Sequence, residues 1–176
     1  MKFLIDVSID FMKKLLVLRH AKSDWNNPNM SDFDRPLNSR GLQAALSMGA
    51  FVRENNLLPD LTVSSPAIRA KETAELLRDA AQITTELKFD RQIYEASVGD
   101  LINVISKTSN DCEVLLMVGH NPGFENLVED LTGETREMPT AALAEIVLKI
   151  DEWSSIKTGS GLLKNLYKPK EIEKTD

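Results

Sequence analysis

The run Leu15-Leu16-Val17-Leu18 stops abruptly at Arg19-His20, the pattern of a buried strand whose carboxyl end opens on a site. Taken alone, it is equally the pattern of a core strand with a chance polar end. The design recurs far along the chain, where Val114-Leu115-Leu116-Met117-Val118 runs into Gly119-His120-Asn121-Pro122-Gly123. The chain holds only 2 histidines, and each follows an apolar strand directly.

The segments between these strands set the fold class. Residues 21–36 lack periodicity and read as a long polar loop. Asn38 or Ser39 can then cap a helix with Leu42, Ala45, Leu46, Gly49 and Val52 on its apolar face, ending near Asn55 and Asn56. Leu61-Thr62-Val63 reads as a short strand. Ser65-Pro66 predicts the next helix, with serine as N-cap and proline at the first position, running to about Ala81. A strand over 84–89, a helix over 98–108 and a helix after Gly123 complete the alternation. Residues 144–150 alternate as a strand with a less buried face carrying Glu145 and Lys149, placed towards a sheet edge, and 162–167 can form a last strand. Strands alternating with helices predict a single-domain α/β protein, a three-layer α/β/α sandwich whose mostly parallel sheet carries helices on both faces. Ligands of such sheets bind beyond the carboxyl ends of the strands, which places Arg19, His20, Arg69 and His120 along one edge.

Arg69 and Lys71 fall in the first turns of the second helix, where the dipole disfavours cations. An anion bound there removes the conflict, since free N–H groups, dipole and guanidinium then face one negative ligand. Arginine offers a planar fork for phosphate oxygens, and neutral histidine offers a nucleophilic nitrogen. Together they suit phosphoryl transfer through a covalent phosphohistidine.

Composition narrows the alternatives. The 176 residues suffice for one cored domain, and the net charge of -6 argues against general nucleic-acid binding while leaving room for a local basic pocket. No run approaches the roughly 18 apolar residues of a membrane span. The single Cys112 cannot form an internal disulfide, which with the lack of a secretory signal points to the cytoplasm. Residues 1–11 read as an N-terminal extension, with Met12 as the natural start, 12–167 as the domain and 168–176 as a polar, mobile tail. The patterned apolar faces are used by the core, so a monomer is the default. A cysteine phosphatase needs arginine six positions after its thiolate, and Val118 stands six after Cys112. Asp32-Phe33-Asp34 lies in a polar loop, unlike the nucleophile of an aspartyl phosphatase, and GxSxG, P-loop and HExxH patterns are absent.

Leu18-Arg19-His20-Ala21 resembles the Arg-His-Gly/Ala signature of the histidine phosphatase superfamily. Ser64-Ser65-Pro66-Ala67-Ile68-Arg69-Ala70-Lys71-Glu72-Thr73-Ala74 resembles its second motif, and Val118-Gly119-His120-Asn121-Pro122 its third, in register over residues 12 to about 166. Asp34-Arg35-Pro36-Leu37, Met138-Pro139-Thr140-Ala141 and the compact length look most like SixA-type phosphohistidine phosphatases. The resemblance implies a phosphoglycerate mutase-like fold and hydrolysis of a phosphate monoester or phosphohistidine, without metal or cofactor. His20 would attack phosphorus. Arg19 and Arg69 would bind the phosphoryl oxygens, His120, with Asn121 beside it, would stabilise charge opposite, and Arg35 would add a fourth positive contact. Glu95 is the nearest acid for the leaving group, with Asp24, Asp34 or no acid as alternatives. The substrate would be a phosphorylated protein or a small phosphorylated metabolite. The rivals are a small-molecule phosphatase or phosphomutase with the same nucleophile, and a non-catalytic phosphoprotein-binding module.

Overall fold

The computed structural model describes residues 12–172. The expected extension over 1–11 and the last residues of the tail, 173–176, lie outside the described residues. Six strands form one mixed sheet in the order β3-β2-β4-β1-β5-β6, with β1 Lys13–Arg19, β2 Leu61–Ser64, β3 Glu86–Phe89, β4 Val114–Gly119, β5 Leu143–Leu148 and β6 Gly161–Tyr167. Strands β1 to β4 pair in parallel, whereas β5 runs antiparallel to both β1 and β6.

Alternation along the central strands divides the core in two. Leu15 and Val17 of β1, with Leu115 and Met117 of β4, face a cluster that includes Leu101 and Ile105 of α3 (Val98–Ser106) and Phe124 and Leu127 of α4 (Gly123–Thr132). Leu16 and Leu18, with Leu116 and Val118, face Met48 and Val52 of α1 (Ser39–Glu54) and Ala74 and Leu77 of α2 (Ile68–Ala81). Both faces of β1 and β4 are therefore covered, which is why these strands read as unbroken apolar runs rather than alternating ones. Each fully buried leucine contributes about 2 kcal/mol. Among the described residues, no helix is long and apolar enough to cross a membrane.

Several expectations shift by their surroundings. Asn38 is the cap of α1, its side chain accepting from the Gly41 N–H at 2.9 Å, but Leu42 and Leu46 stay 41% and 38% exposed. The core stripe of α1 runs through Gly41, Ala45, Met48, Gly49 and Val52 instead. Strand β5 lies towards the sheet edge as expected, with only β6 beyond it, but Glu145 is 1% exposed because a polar cluster satisfies it. The expected polar tail begins with a short helix, α5 Pro169–Ile172, whose Ile172 packs on the α1–α2 side of the core.

Candidate active site

Register alone brings the two histidines together. Parallel pairing sets Arg19 opposite Gly119, so the next residue of each strand emerges beside the other. The His20 N–H donates to the Gly119 carbonyl at 2.9 Å, and the two imidazole centroids lie 5.0 Å apart. On the other side of β4, Ser64 is level with Val118, and the Ser65 hydroxyl reaches His120 Nε2 at 2.8 Å. Gly119 leaves no room for a side chain, since a Cβ there would lie 2.6 Å from Phe124 Cζ and 2.7 Å from Ile93 Cγ2.

Ser65 is therefore part of the site and not the cap of α2. That helix begins at Ile68 with Ala67 as an N-cap lacking a side-chain bond, because the Ser65 oxygen is held by His120 and by the Ala67 N–H at 3.3 Å. Arg69 thus sits in the first turn, buried, with its Nε–H donating to His20 Nε2 at 3.2 Å. A carboxylate of the chain itself lies against this cation: Asp32 Oδ2 pairs with Arg69 Nη2 at 2.8 Å.

Asp32 is the site residue that the sequence reading missed. Its carboxylate also pairs with Arg35 and accepts from the Tyr94 hydroxyl at 2.8 Å, while its carbonyl accepts from Arg69 Nη1. The i,i+3 spacing of Asp32 and Arg35 was the available signal. Burial would push the Asp32 carboxyl up, but the hydrogen bonds from Tyr94 and Arg69 and the charge of Arg69 bring it down to about 2. Arg35 lies over the exposed Trp25 ring, 3.3 Å from its centroid.

Arg19 and Asn121 share one anchor. Arg19 Nη1 donates to the Met138 carbonyl at 2.8 Å and Asn121 Nδ2 donates to the same oxygen at 3.1 Å. The Met138 N–H is held by Glu125 at 2.7 Å, and the Ala141 N–H bonds the carbonyls of Arg19 and His20 at 3.1 Å. The stretch from Met138 to Ala141 is thus the brace behind the first motif.

Protonation follows from these contacts. A carbonyl only accepts, so the 2.7 Å contact between His20 Nδ1 and the Ala21 carbonyl puts the proton on Nδ1 and leaves the lone pair on Nε2. Burial first, and then the charges of Arg69, Arg19 and Arg35, push the His20 pKa down to about 4. Guanidinium repulsion contributes, but loss of water is the larger cause. Burial and the neighbouring His20 and Arg69 likewise take His120 to about 3. Both rings are neutral at pH 7.

These groups line a cleft of about 680 Å³ that includes Arg19, His20, Arg35, Arg69, His120 and Asn121. Of the three carboxylates considered as acids, Glu95 lines the cleft, at a left-handed φ of 53. Asp24 and Asp34 do not: Asp24 caps the Asn26 N–H and Asp34 accepts from Ser31. Several buried polar atoms of the cleft have no partner, namely Arg19 Nε, Arg35 Nε and Nη1, His120 Nδ1 and Asn121 Oδ1. Among the described residues, no three His, Cys, Asp or Glu side chains are grouped to hold a metal ion.

The profile of the histidine phosphatase superfamily (branch 1) matches residues 15–141. An uncharacterized chloroplastic protein of Arabidopsis thaliana is 28% identical over 168 residues, 90% of this chain and 77% of its own. An uncharacterized protein of Mycobacterium tuberculosis is 27% identical, covering 87% of this chain and 100% of its own. The Agrobacterium tumefaciens protein described as a candidate phosphohistidine phosphatase SixA superposes with a TM-score of 0.77 at 26% identity, over 89% of this chain and 98% of that one.

Proposed function

The chain belongs to the histidine phosphatase superfamily, and on that premise we propose that it hydrolyses a phosphorylated substrate through a phosphoryl group carried on His20. The observation that carries this reading is the set of buried, unpartnered N–H donors, Arg19 Nε and Arg35 Nε and Nη1, in one cleft with a neutral imidazole whose Nε2 holds a lone pair. Buried donors without acceptors cost about 1–3 kcal/mol each. A tetrahedral oxyanion between them offsets that cost at several points at once.

In the first step His20 Nε2 attacks phosphorus in line, forming the N–P bond as the bond to the leaving group breaks. Arg69, already 3.2 Å from Nε2, turns its guanidinium to the phosphoryl oxygens, joined by Arg19 and Arg35. Their charge stabilises the transition state and, before attack, keeps His20 unprotonated. His120 stabilises charge on the oxygens opposite, with Asn121 beside it. Glu95, an exposed residue lining the cleft, supplies the leaving-group proton where one is needed. Water then attacks phosphorus, the N–P bond breaks back to neutral His20, and the water proton passes to Glu95.

The substrate class that fits best is protein phosphohistidine. Its imidazole leaves readily once protonated, and the likeness to a SixA structure supports the same choice. The test is to trap the intermediate: exposure to a phosphohistidine peptide, a phosphoserine peptide and small phosphate monoesters should give acid-labile, base-stable label on His20, fastest from the phosphohistidine peptide. Label elsewhere, or label retained by His20→Ala, would overturn the mechanism. Faster labelling by a small metabolite would overturn the substrate class alone.

A further inference from the structure

A second cleft of about 710 Å³ adjoins the first, and Lys22 and Thr140 line both. Its walls come from the start of α1, with Arg40 and Gln43, and from the segment 168–171. Among the described residues, four cations border it, Lys22, Arg40, Lys168 and Lys170, against one acid, Glu171. This is unusual in a chain of net charge -6. Several cations elsewhere are paired with the chain's own carboxylates: Lys13 with Glu113, Lys14 with Glu145, Arg69 with Asp32 and Arg136 with Glu134. Among the described residues, none of the four around the second cleft has such an ion pair.

We propose that this cleft is a second subsite, which takes an acidic stretch of the phosphoprotein whose phosphorylated residue enters the His20 cleft; the assignment rests on the phosphatase reading above. Two properties favour acidic side chains over a second phosphate on a small molecule. The cations come from three separate segments of the chain, Lys22, Arg40 and Lys168 with Lys170, and an extended peptide brings a new side chain every roughly 3.3 Å. Three of the four are lysines, point charges on flexible stems that follow carboxylates of variable position, unlike the fixed fork that a single phosphate favours. Electrostatic attraction of this kind raises selectivity and association rate more than it raises the chemical rate.

The test compares two phosphohistidine peptides, identical except that four flanking aspartates in one are asparagines in the other. Wild-type protein should turn over the acidic peptide with kcat/KM about tenfold higher at low ionic strength, a preference that fades in about 0.5 M salt. Arg40→Glu with Lys170→Glu, both on exposed side chains outside the first cleft, should remove the preference and leave p-nitrophenyl phosphate turnover unchanged. Preference retained in the double variant, or p-nitrophenyl phosphate turnover lost alongside it, overturns the subsite. Inorganic pyrophosphate serves as the small competitor. If its inhibition weakens in the double variant as much as the acidic peptide does, the acidic stretch is the wrong occupant. Fluorescence anisotropy of the labelled peptides on His20→Ala separates the two readings. Flank-dependent binding without turnover by the wild type would sink the reaction and keep the cleft, and turnover with flank-independent binding would do the reverse.

Discussion

Two of the carboxylates that pair with cations in this molecule, Glu145 and Asp32, are built differently. Glu145, on β5, is 1% exposed and fully satisfied: Tyr167 donates to it at 3.0 Å and Asn165 at 3.1 Å, with Lys14 at 3.1 Å and Lys164 at 3.3 Å. Burial would push its pKa up, but the bonds from Asn165, Lys14 and Tyr167 bring it down to about 2. Asp32 reaches a similar pKa from a half-exposed position, yet its partner Arg35 keeps two buried donors unpartnered. A closed polar network braces the sheet. An open one is set to receive a ligand, because only the open one gains by binding an anion.

The largest effect should follow from removing the nucleophile. His20→Ala should lower p-nitrophenyl phosphate turnover by on the order of 10⁴-fold or more with the fold intact by circular dichroism; a residual rate near wild type would break the comparison at its functional end. The same imidazole sets the acid limb of the pH profile. Its attacking form is the neutral one, so activity should be lost as pH falls through about 4, and not near 6.5, once substrate ionisation is allowed for.

Removing Arg69 strips the phosphoryl site of a cation that faces Nε2. Arg69→Ala should cost roughly 10²–10³-fold in kcat. Asp32→Asn is the sharper probe of the contrast, since it keeps the shape and deletes the charge that positions Arg35 and Arg69. A loss of about tenfold in kcat/KM is expected, with thermal stability almost unchanged because Asp32 is 49% exposed.

Glu145→Gln should invert that outcome. Activity should be preserved, while stability at pH 7 falls by about 2 kcal/mol, roughly 4–8 °C in Tm. A carboxyl lowered by folding stabilises the protein above its unfolded pKa and loses that contribution as pH falls through the folded value. The difference between wild type and Glu145→Gln should therefore be full above about 4.3 and shrink towards pH 2. A variant as stable as the wild type at pH 7 would show that the closed network braces nothing.

How much of this was readable in advance differs residue by residue. Arg19, His20, Arg69 and His120 were legible as polar residues placed directly after apolar strands or at a helix start, and the structure brings all four to one cleft. The face that carries Glu145 is the less buried one, with Val147 half-buried and Lys149 exposed, but alternation could not show that Glu145 itself is buried, which only Lys14 from the neighbouring strand and Lys164, Asn165 and Tyr167 from β6 make tolerable. Ser65 was misread as a cap, since the helix-start rule is local and its competitor, His120, stands 55 positions away.

By itself, the sequence determined the alternation of strands and helices, the unbroken runs of β1 and β4, and the pairing of each histidine with a strand end, because period and chain order are local properties. The tertiary structure alone decided that Glu145 on β5 would be enclosed, that Asp32, beside Arg35, would reach Arg69 across 37 positions of chain, and that four cations would gather beside the His20 cleft. Each depends on partners that only the packed sheet brings within reach, and the cost of a buried or crowded charge is set by those partners and not by the residue that carries it.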